Sequence, residues 1–452
     1  MNAGERIVVL GGGESGFGSA VLAKTKEFDV FLSDSGQIPL SYKEKLKKWD
    51  IPFEEGRHTP ELILNADLVI KSPGIPDKAP MVQAIRDRGI RVVSEIEWAG
   101  WYNRAKTICI TGSNGKTTTT TLVYEILKRG GLNAGLGGNI GRSFAYQVAT
   151  EAFDWYVLEL SSFQLDGMFD FRADVAVLMN ITPDHLDRYN YQLQNYADSK
   201  FRVIRNQGPE QAFVFCGDDP VTLENLNRHE LPMMVLPFSA KQAVVQGAGL
   251  ENGQIVVRMP DNSTFEMPAD ELQVKGIHNL YNAQAAATTG LLAGVRPDSI
   301  RETLRDFRGV EHRLEPVAEV DGVLYINDSK ATNVDSVWYA LESMTRPVVW
   351  IAGGTDKGND YMPLSDFARQ KVKALVAMGV DNKKIINSFK EHVSVVFDTH
   401  SLEEAMATAA AAAKPGDAVL LSPACASFDL FKNYEDRGRQ FKEWVLKQTD
   451  KA

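Results

Sequence analysis

The sequence predicts an α/β protein of three domains built on parallel sheets, and three observations carry that expectation. Short apolar runs at 7–10, 30–32, 68–70, 108–110, 155–158, 175–179, 324–326, 348–351, 374–378 and 418–421 alternate with helical patterns, as in sheets buried on both faces. Two of these runs lead directly into glycine-rich turns, at 11–16 and 112–115, the arrangement of phosphate-binding strand–turn–helix units. The 452 residues suit about three domains of ordinary size.

The first domain is expected over 1–95. Gly11-Gly12-Gly13-Glu14-Ser15-Gly16 follows the first strand and fits G-x-G-x-x-G, a Rossmann-like pattern in which backbone N–H groups approach a diphosphate. Ser15 and Gly16 are therefore expected at the ligand. Asp34, with Ser35 beside it, ends the next strand, where a ribose or base contact belongs. Ser72-Pro73-Gly74 closes another strand with a turn that can face the same ligand. Taken alone, this pattern also fits a nicotinamide-dependent dehydrogenase.

A second nucleotide site argues against that alternative, and it defines the central domain, expected over 96–309. Residues 107–117, Thr-Ile-Cys-Ile-Thr-Gly-Ser-Asn-Gly-Lys-Thr, are a strand entering a P-loop of the compact kind, with only Ser113 and Asn114 between the glycines. Gly112 and Gly115 free backbone N–H groups for a polyphosphate, Lys116 supplies a mobile cation, and Thr117, with Thr118 behind it, opens a helix and can ligate Mg²⁺. Leu122, Val123, Ile126 and Leu127 give that helix one apolar face, and Gly130-Gly131 stops it. Glu159, just past the strand at 155–158, can hold the same ion. Asn180-Ile-Thr-Pro-Asp-His185-Leu-Asp-Arg188 ends a further strand, and Lys200 follows in a helical segment. Between 235 and 274, alternating segments with Asn252-Gly253 and Asp261-Asn262 predict antiparallel hairpins.

The third domain is expected over 310–452. Its alanine-rich run 405–413 reads as a helix, because Glu403 and Glu404 precede it and Lys414-Pro-Gly follows.

Composition narrows the function. A formal charge of −10 opposes electrostatic capture of nucleic acid. Cys109, Cys216 and Cys425 are too few and too scattered for a disulfide framework or a zinc site, which fits a reducing compartment. The apolar run 7–10 is too short for a signal peptide, and no stretch has the length of a membrane span. A cytoplasmic protein without nucleic-acid or membrane partners is expected.

These motifs, together with Gly137-Gly-Asn139-Ile-Gly141, His312-Arg313, Asn327-Asp328-Ser329-Lys330-Ala331-Thr332-Asn333, Gly353-Gly354-Thr-Asp-Lys357-Gly358 and the run Ser422-Pro-Ala-Cys-Ala-Ser427-Phe428 through Tyr434 to Gly438, resemble the Mur ligase family over nearly the whole chain. The G-S-N-G-K-T turn is shared with folylpolyglutamate synthetases and by itself marks only the superfamily. The resemblance implies a Rossmann-like C-terminal domain and ATP-dependent amide-bond formation in peptidoglycan precursor synthesis. It implies UDP-N-acetylmuramoyl-L-alanine and D-glutamate as substrates, an acyl-phosphate intermediate, two Mg²⁺ ions and a monomer. The Asp-Asn-Pro-Arg motif usual in the diaminopimelate- or lysine-adding sister is absent. The L-alanine-adding sister, a folylpolyglutamate-synthetase-like ligase and a non-catalytic nucleotide-binding protein are the alternatives.

The resemblance also assigns residues. Lys116, Glu159, His185 and Lys200 are implied to be catalytic, with Lys200 carbamylated. Thr117, Glu159, His185 and Lys200 would hold metal. Asn282, Arg313 and Asp328 would join residues 112–118 on ATP. Asn139, Ser161, Gln164 and His185 would contact the muramoyl-alanine end, and Thr332, Lys357, Ser427, Phe428 and Tyr434 the D-glutamate. One departure is Gly36, where the family often has a basic residue.

Overall fold

The computed structural model describes residues 4–356 and 358–449. It forms two compact units, one of residues up to Leu272 plus Leu280–Asp306, the other of Gln273–Asn279 plus the chain from Phe307 onward.

The first unit contains two sheets. The first is fully parallel, with β1 (Arg6–Leu10), β2 (Asp29–Asp34), β3 (Phe53–Glu55), β4 (Leu68–Lys71) and β5 (Arg91–Val93) in the order β3-β2-β1-β4-β5. Ile7, Val8, Val9 and Leu10 are wholly buried, as a central parallel strand covered on both faces requires. Strand order reverses between β1 and β4, and ligand crevices form at such a switch point, outside the carboxyl ends of the strands.

The second sheet has nine strands: β6 (Lys106–Thr111), β7 (Ala134–Gly138), β8 (Trp155–Glu159), β9 (Val175–Leu178), β10 (Ala212–Cys216), β11 (Met234–Phe238), β12 (Gly247–Glu251), β13 (Gln254–Arg258) and β14 (Thr264–Pro268). Their order is β14-β13-β12-β11-β10-β9-β6-β8-β7. The strand β6 is flanked by β8 and β9, both parallel to it. The expected hairpins are β12–β13 and β13–β14. Asn252 (φ 50°) and Gly253 (φ 79°) make the two-residue turn of the first. The expectation fails at Val235, which lies in β11, parallel to β10; alternation along a strand does not encode the direction of its neighbour.

The second unit holds β15 (Glu315–Val320), β16 (Val323–Asn327), β17 (Val348–Ala352), β18 (Val372–Met378), β19 (Val395–Thr399) and β20 (Ala418–Leu421), in the order β15-β16-β20-β17-β18-β19. Only the β15–β16 pairing is antiparallel. The alanine-rich helix is Leu402–Ala412, and its N-cap Ser401 accepts a hydrogen bond from the Glu404 N–H. Among the described residues no helix is long and apolar enough to cross a membrane.

Candidate functional site

The strongest chemistry in the first unit collects where β6 ends. Gly112 (φ 145°) and Gly115 (φ 82°) adopt dihedrals that side-chain-bearing residues avoid, and the helix Lys116–Arg129 begins one residue earlier than the sequence predicts. Leu122, Val123, Ile126 and Leu127 are buried on its inner face, and Gly130 ends it. Thr117 and Thr118 are buried at its first turn, and Lys116 Nζ donates to the carbonyls of Gly112 (2.7 Å) and Ser113 (2.8 Å).

The turn is clamped from β9. The Asn114 N–H donates to Asn180 Oδ1 (2.8 Å), Asn180 Nδ2 donates to the Asn114 carbonyl (3.2 Å), and the Ser113 N–H donates to the Asn180 carbonyl (2.9 Å). Ser113 Oγ donates to the Thr182 carbonyl (2.9 Å) and accepts from the Thr182 N–H (2.9 Å). Sequence reading passed over Asn180 and Thr182 as site residues; the polar run closing a buried strand was the available signal. Asn282 is buried against the same turn. Its Oδ1 accepts from Thr119 Oγ1 (3.1 Å) and lies 2.6 Å from where a Cβ on Gly115 would stand.

Glu159 is the last residue of β8 itself and is buried, a correction to its expected position just past the strand. Because β8 pairs with β6 in register Ile110↔Glu159, its carboxylate belongs to the strand end next to the turn. Asn139 Nδ2 donates to Glu159 Oε1 (2.8 Å), and the Asn139 N–H to the Glu159 carbonyl (2.8 Å). Ser161 and Gln164 form a capping box at the N-terminus of the helix Ser162–Asp166, so both side chains hold the loop that follows Glu159. His185 has φ 51°, its ring lies 5.1 Å from Phe163, and its Nε2 is 3.7 Å from Asp184 Oδ2.

Lys200 is 1% exposed, and its Nζ donates to the Gly112 carbonyl (2.9 Å) and Thr111 Oγ1 (3.2 Å). Burial pushes the amine well below its ordinary range, the Lys116 charge adds to this, and Asp184, Glu159 and Asp166 oppose it. The Thr117 hydroxyl in the first turn of the helix after β6, the Glu159 carboxylate at the end of β8 and the Asp184 carboxylate in the loop after β9 are hard oxygen donors of the kind that suits Mg²⁺.

A separate group of expected residues lies at the β1/β4 switch point. The Gly12 N–H donates to Asp34 Oδ2 (2.6 Å) and the Gly36 N–H to Asp34 Oδ1 (2.8 Å), so Asp34 braces the first glycine turn. A Cβ on Gly16 would stand 1.8 Å from the Gly11 carbonyl oxygen, so only glycine lets the helix Glu14–Thr25 seat here. Ser15 lies beside the buried Glu95, and Ser72 packs on Gly11 at the head of the Ser72-Pro73-Gly74 turn. Ser35 is exposed in the loop after β2.

The remaining expected residues belong to the second unit. Asp328 is buried, accepts from Ser422 Oγ (2.8 Å) and the Leu314 N–H (3.1 Å), and is pushed up to about 6 by burial, with nearby Arg313 opposing. Thr332 is half-buried in the loop after β16. Ser427 is buried after β20, and Phe428 is 73% exposed. Tyr434 opens the helix Tyr434–Thr449, with the Lys330 ammonium 5.2 Å from its ring; Lys330 had no assigned role. Lys357 lies outside the described residues. The cluster of Glu311, His312 and Glu315 could suit a metal by its donors, but the Lys442 ammonium bridges both glutamates.

A glycine cradle closed by a lysine, beside a buried carboxylate and a second, buried lysine, defines a P-loop nucleotide-dependent enzyme. Comparison with known proteins narrows the class. Family models match over 5–94 (Mur ligase MurD-like, N-terminal domain), 110–290 (Mur ligase middle domain) and 312–425 (Mur ligase, glutamate ligase domain). The UDP-N-acetylmuramoylalanine--D-glutamate ligases of Christiangramia forsetii and Bacteroides fragilis are each 54% identical over 442 residues, covering 98% of this chain and 99% of theirs. Among solved structures, the UDP-N-acetylmuramate-alanine ligase MurC of Thermotoga maritima matches with a TM-score of 0.64 at 20% identity, covering 98% of this chain and 99% of that one. A pseudomurein peptide ligase type C from Methanothermus fervidus matches with 0.62 at 22%, covering 98% and 100%. This chain belongs to the Mur ligase family.

Proposed function

We propose that the chain joins D-glutamate to UDP-N-acetylmuramoyl-L-alanine at the expense of ATP, in the cytoplasmic synthesis of peptidoglycan precursors. The observation that carries this reading is 54% identity, over nearly the full length of both chains, to ligases bearing that name. In the reaction the substrate carboxylate attacks the γ-phosphorus of ATP, giving an acyl phosphate and ADP. The neutral amine of D-glutamate then adds to the acyl carbon, and phosphate leaves as the amine loses a proton.

A carboxylate and a triphosphate repel each other, so the protein must hold two anions in line. Residues 112–118 bind the phosphates through backbone N–H groups, and Lys116 neutralises the phosphoryl group being transferred. Asn282 braces the ATP-binding turn, with Arg313 and Asp328 as further ATP contacts. Mg²⁺, when bound, offsets phosphate charge; Thr117 and Glu159 would hold one ion, and His185 with Lys200 a second. Lys200 serves as a carbamate, formed when its amine adds to CO₂ and releases a proton. The burial that lowers this amine's basicity supports that assignment. Asn139, Ser161, Gln164 and His185 orient the L-alanyl end. Residues 11–16, Asp34, Ser35 and the 72–74 turn hold the nucleotide end, and Thr332, Lys357, Ser427, Phe428 and Tyr434 orient D-glutamate. The chain acts as a monomer.

Phosphate release from ATP, measured with UDP-N-acetylmuramoyl-L-alanine and a panel of D- and L-amino acids, tests the reading. Release dependent on D-glutamate is expected. Release with L-alanine on the substrate lacking alanine would make the chain the sister ligase instead.

A further inference from the structure

At the carboxyl edge of the first sheet a hydrogen-bonded chain ends in an imidazole to which nothing above gives a role. Ser33 and Glu54 are register partners on β2 and β3, so their side chains stand on the same face. Ser33 Oγ is 2.8 Å from Glu54 Oε1 and 2.7 Å from His58 Nδ1. Glu54 also accepts from the Thr59 N–H (2.8 Å) and hydroxyl (2.5 Å) and pairs with Arg57 (3.5 Å). Burial acts to raise its carboxyl, but these partners hold it below the ordinary range, so it is ionised and accepts only.

The single Ser33 proton therefore goes to Glu54, which is closer and charged, in preference to the Arg57 carbonyl at 3.4 Å. Ser33 Oγ must then accept from His58, which puts the imidazole proton on Nδ1. Burial lowers the basicity of the ring, with Glu54 and Asp34 opposing, so the neutral form prevails. Its Nε2 then carries a lone pair, and the ring is half-buried.

Position says which ligand. The glycine turn follows β1, Asp34 ends β2, and His58 follows β3. The His58 ring is held by Ser33, the register partner of Leu10 at the head of the glycine turn, and adjacent strands lie about 4.8 Å apart, so the imidazole is within the reach of a nucleotide whose phosphate sits on that turn. The two outer loops are tied together, since the Gly56 N–H donates to the Gly36 carbonyl (2.9 Å).

We propose that His58 is a specificity residue for the pyrimidine base, its Nε2 accepting a hydrogen bond from the imide N3–H of uracil. Cytosine carries a lone pair at N3 and would meet the His58 lone pair head on. The inference rests on the sugar-nucleotide reading above.

Titration of the intact chain with UDP and CDP, with ATP as a control for the central site, tests it. The wild type is expected to bind UDP at least about tenfold more tightly than CDP. His58→Ala should lose about tenfold in UDP affinity with CDP binding little changed, and His58→Gln, which keeps a neutral acceptor, should recover part of the preference. The ¹⁵N resonances of His58 should show the Nδ1–H tautomer. Equal loss of UDP and CDP binding in both variants, an unchanged preference, or the Nε2–H tautomer would each overturn the assignment. A wild type that binds ATP but neither UDP nor CDP would overturn the sugar-nucleotide reading beneath it.

Discussion

At the scale of single residues, Lys200 shows how burial changes what a side chain can do. An exposed lysine is a cation at neutral pH. Here burial and the charge of Lys116 both act against the ammonium form, and a neutral amine is the form that adds to CO₂. If the working group is the resulting carbamate, what Lys200→Ala removes is an anion. Turnover should fall at least about 100-fold and recover in part with a small carboxylate such as acetate or formate, as read by phosphate release. Lys200→Arg, which restores only positive charge, should not recover. Equal acetate response in the wild type and the variant would refute the carbamate.

At the scale of elements, both glycine turns depend on backbone approaching backbone. Gly16→Ala would place a methyl group 1.8 Å from the Gly11 carbonyl oxygen, and the helix Glu14–Thr25 must move off the turn to admit it. A destabilisation of about 2 kcal/mol and at least tenfold weaker UDP binding are expected. Gly13→Ala is the internal control, because Gly13 has φ −85° and nothing lies within 4 Å of its added Cβ. Thermal unfolding and UDP titration of the two variants should separate clearly. The second turn is held from outside, by Asn180 and Thr182, so it depends on a strand far off in sequence.

At the scale of the molecule, the two sheets of the first unit are joined by carboxylates that accept from the facing backbone. Glu14 accepts from the Ser143 N–H (2.8 Å), Glu95 from the Ala145 N–H (3.1 Å), and Glu97 from the N–H groups of Phe169, Asp170 and Phe171 (2.9 Å each). Burial pushes the Glu95 carboxyl up, against hydrogen bonds from Ser143 and Ala145. A group raised in the folded state favours folding less as pH climbs. At low pH both states hold the proton; above about 4.3 the unfolded chain ionises while the folded protein keeps the group neutral, and stability falls until the folded value is passed. Glu95→Gln keeps the acceptor oxygen and has no such loss. It should unfold with the wild type near pH 4 and about 2 °C or more higher at pH 7. A variant less stable at pH 7 than at pH 4, relative to wild type, would reverse the sign and refute the argument.

The sequence by itself determined whatever chemistry is local. Gly112–Thr117 and Gly11–Gly16 are contiguous, and a turn with positive φ followed by a helix N-terminus is specified by neighbours in the chain. The Asn252-Gly253 hairpin and the caps of the helix 402–412 were legible for the same reason. The buried carboxylate of Glu159 and the buried lysine Lys200 were legible as residue types, but their environments were not. Only the tertiary structure put Asn180 on the P-loop backbone, buried Lys200 beneath Gly112, set β11 parallel to β10, and aligned Ser33 with Glu54 and with the His58 Nδ1. Each of these depends on which strands become neighbours and in what register. That choice is made by burying apolar faces of distant segments together, a property no short window of sequence contains.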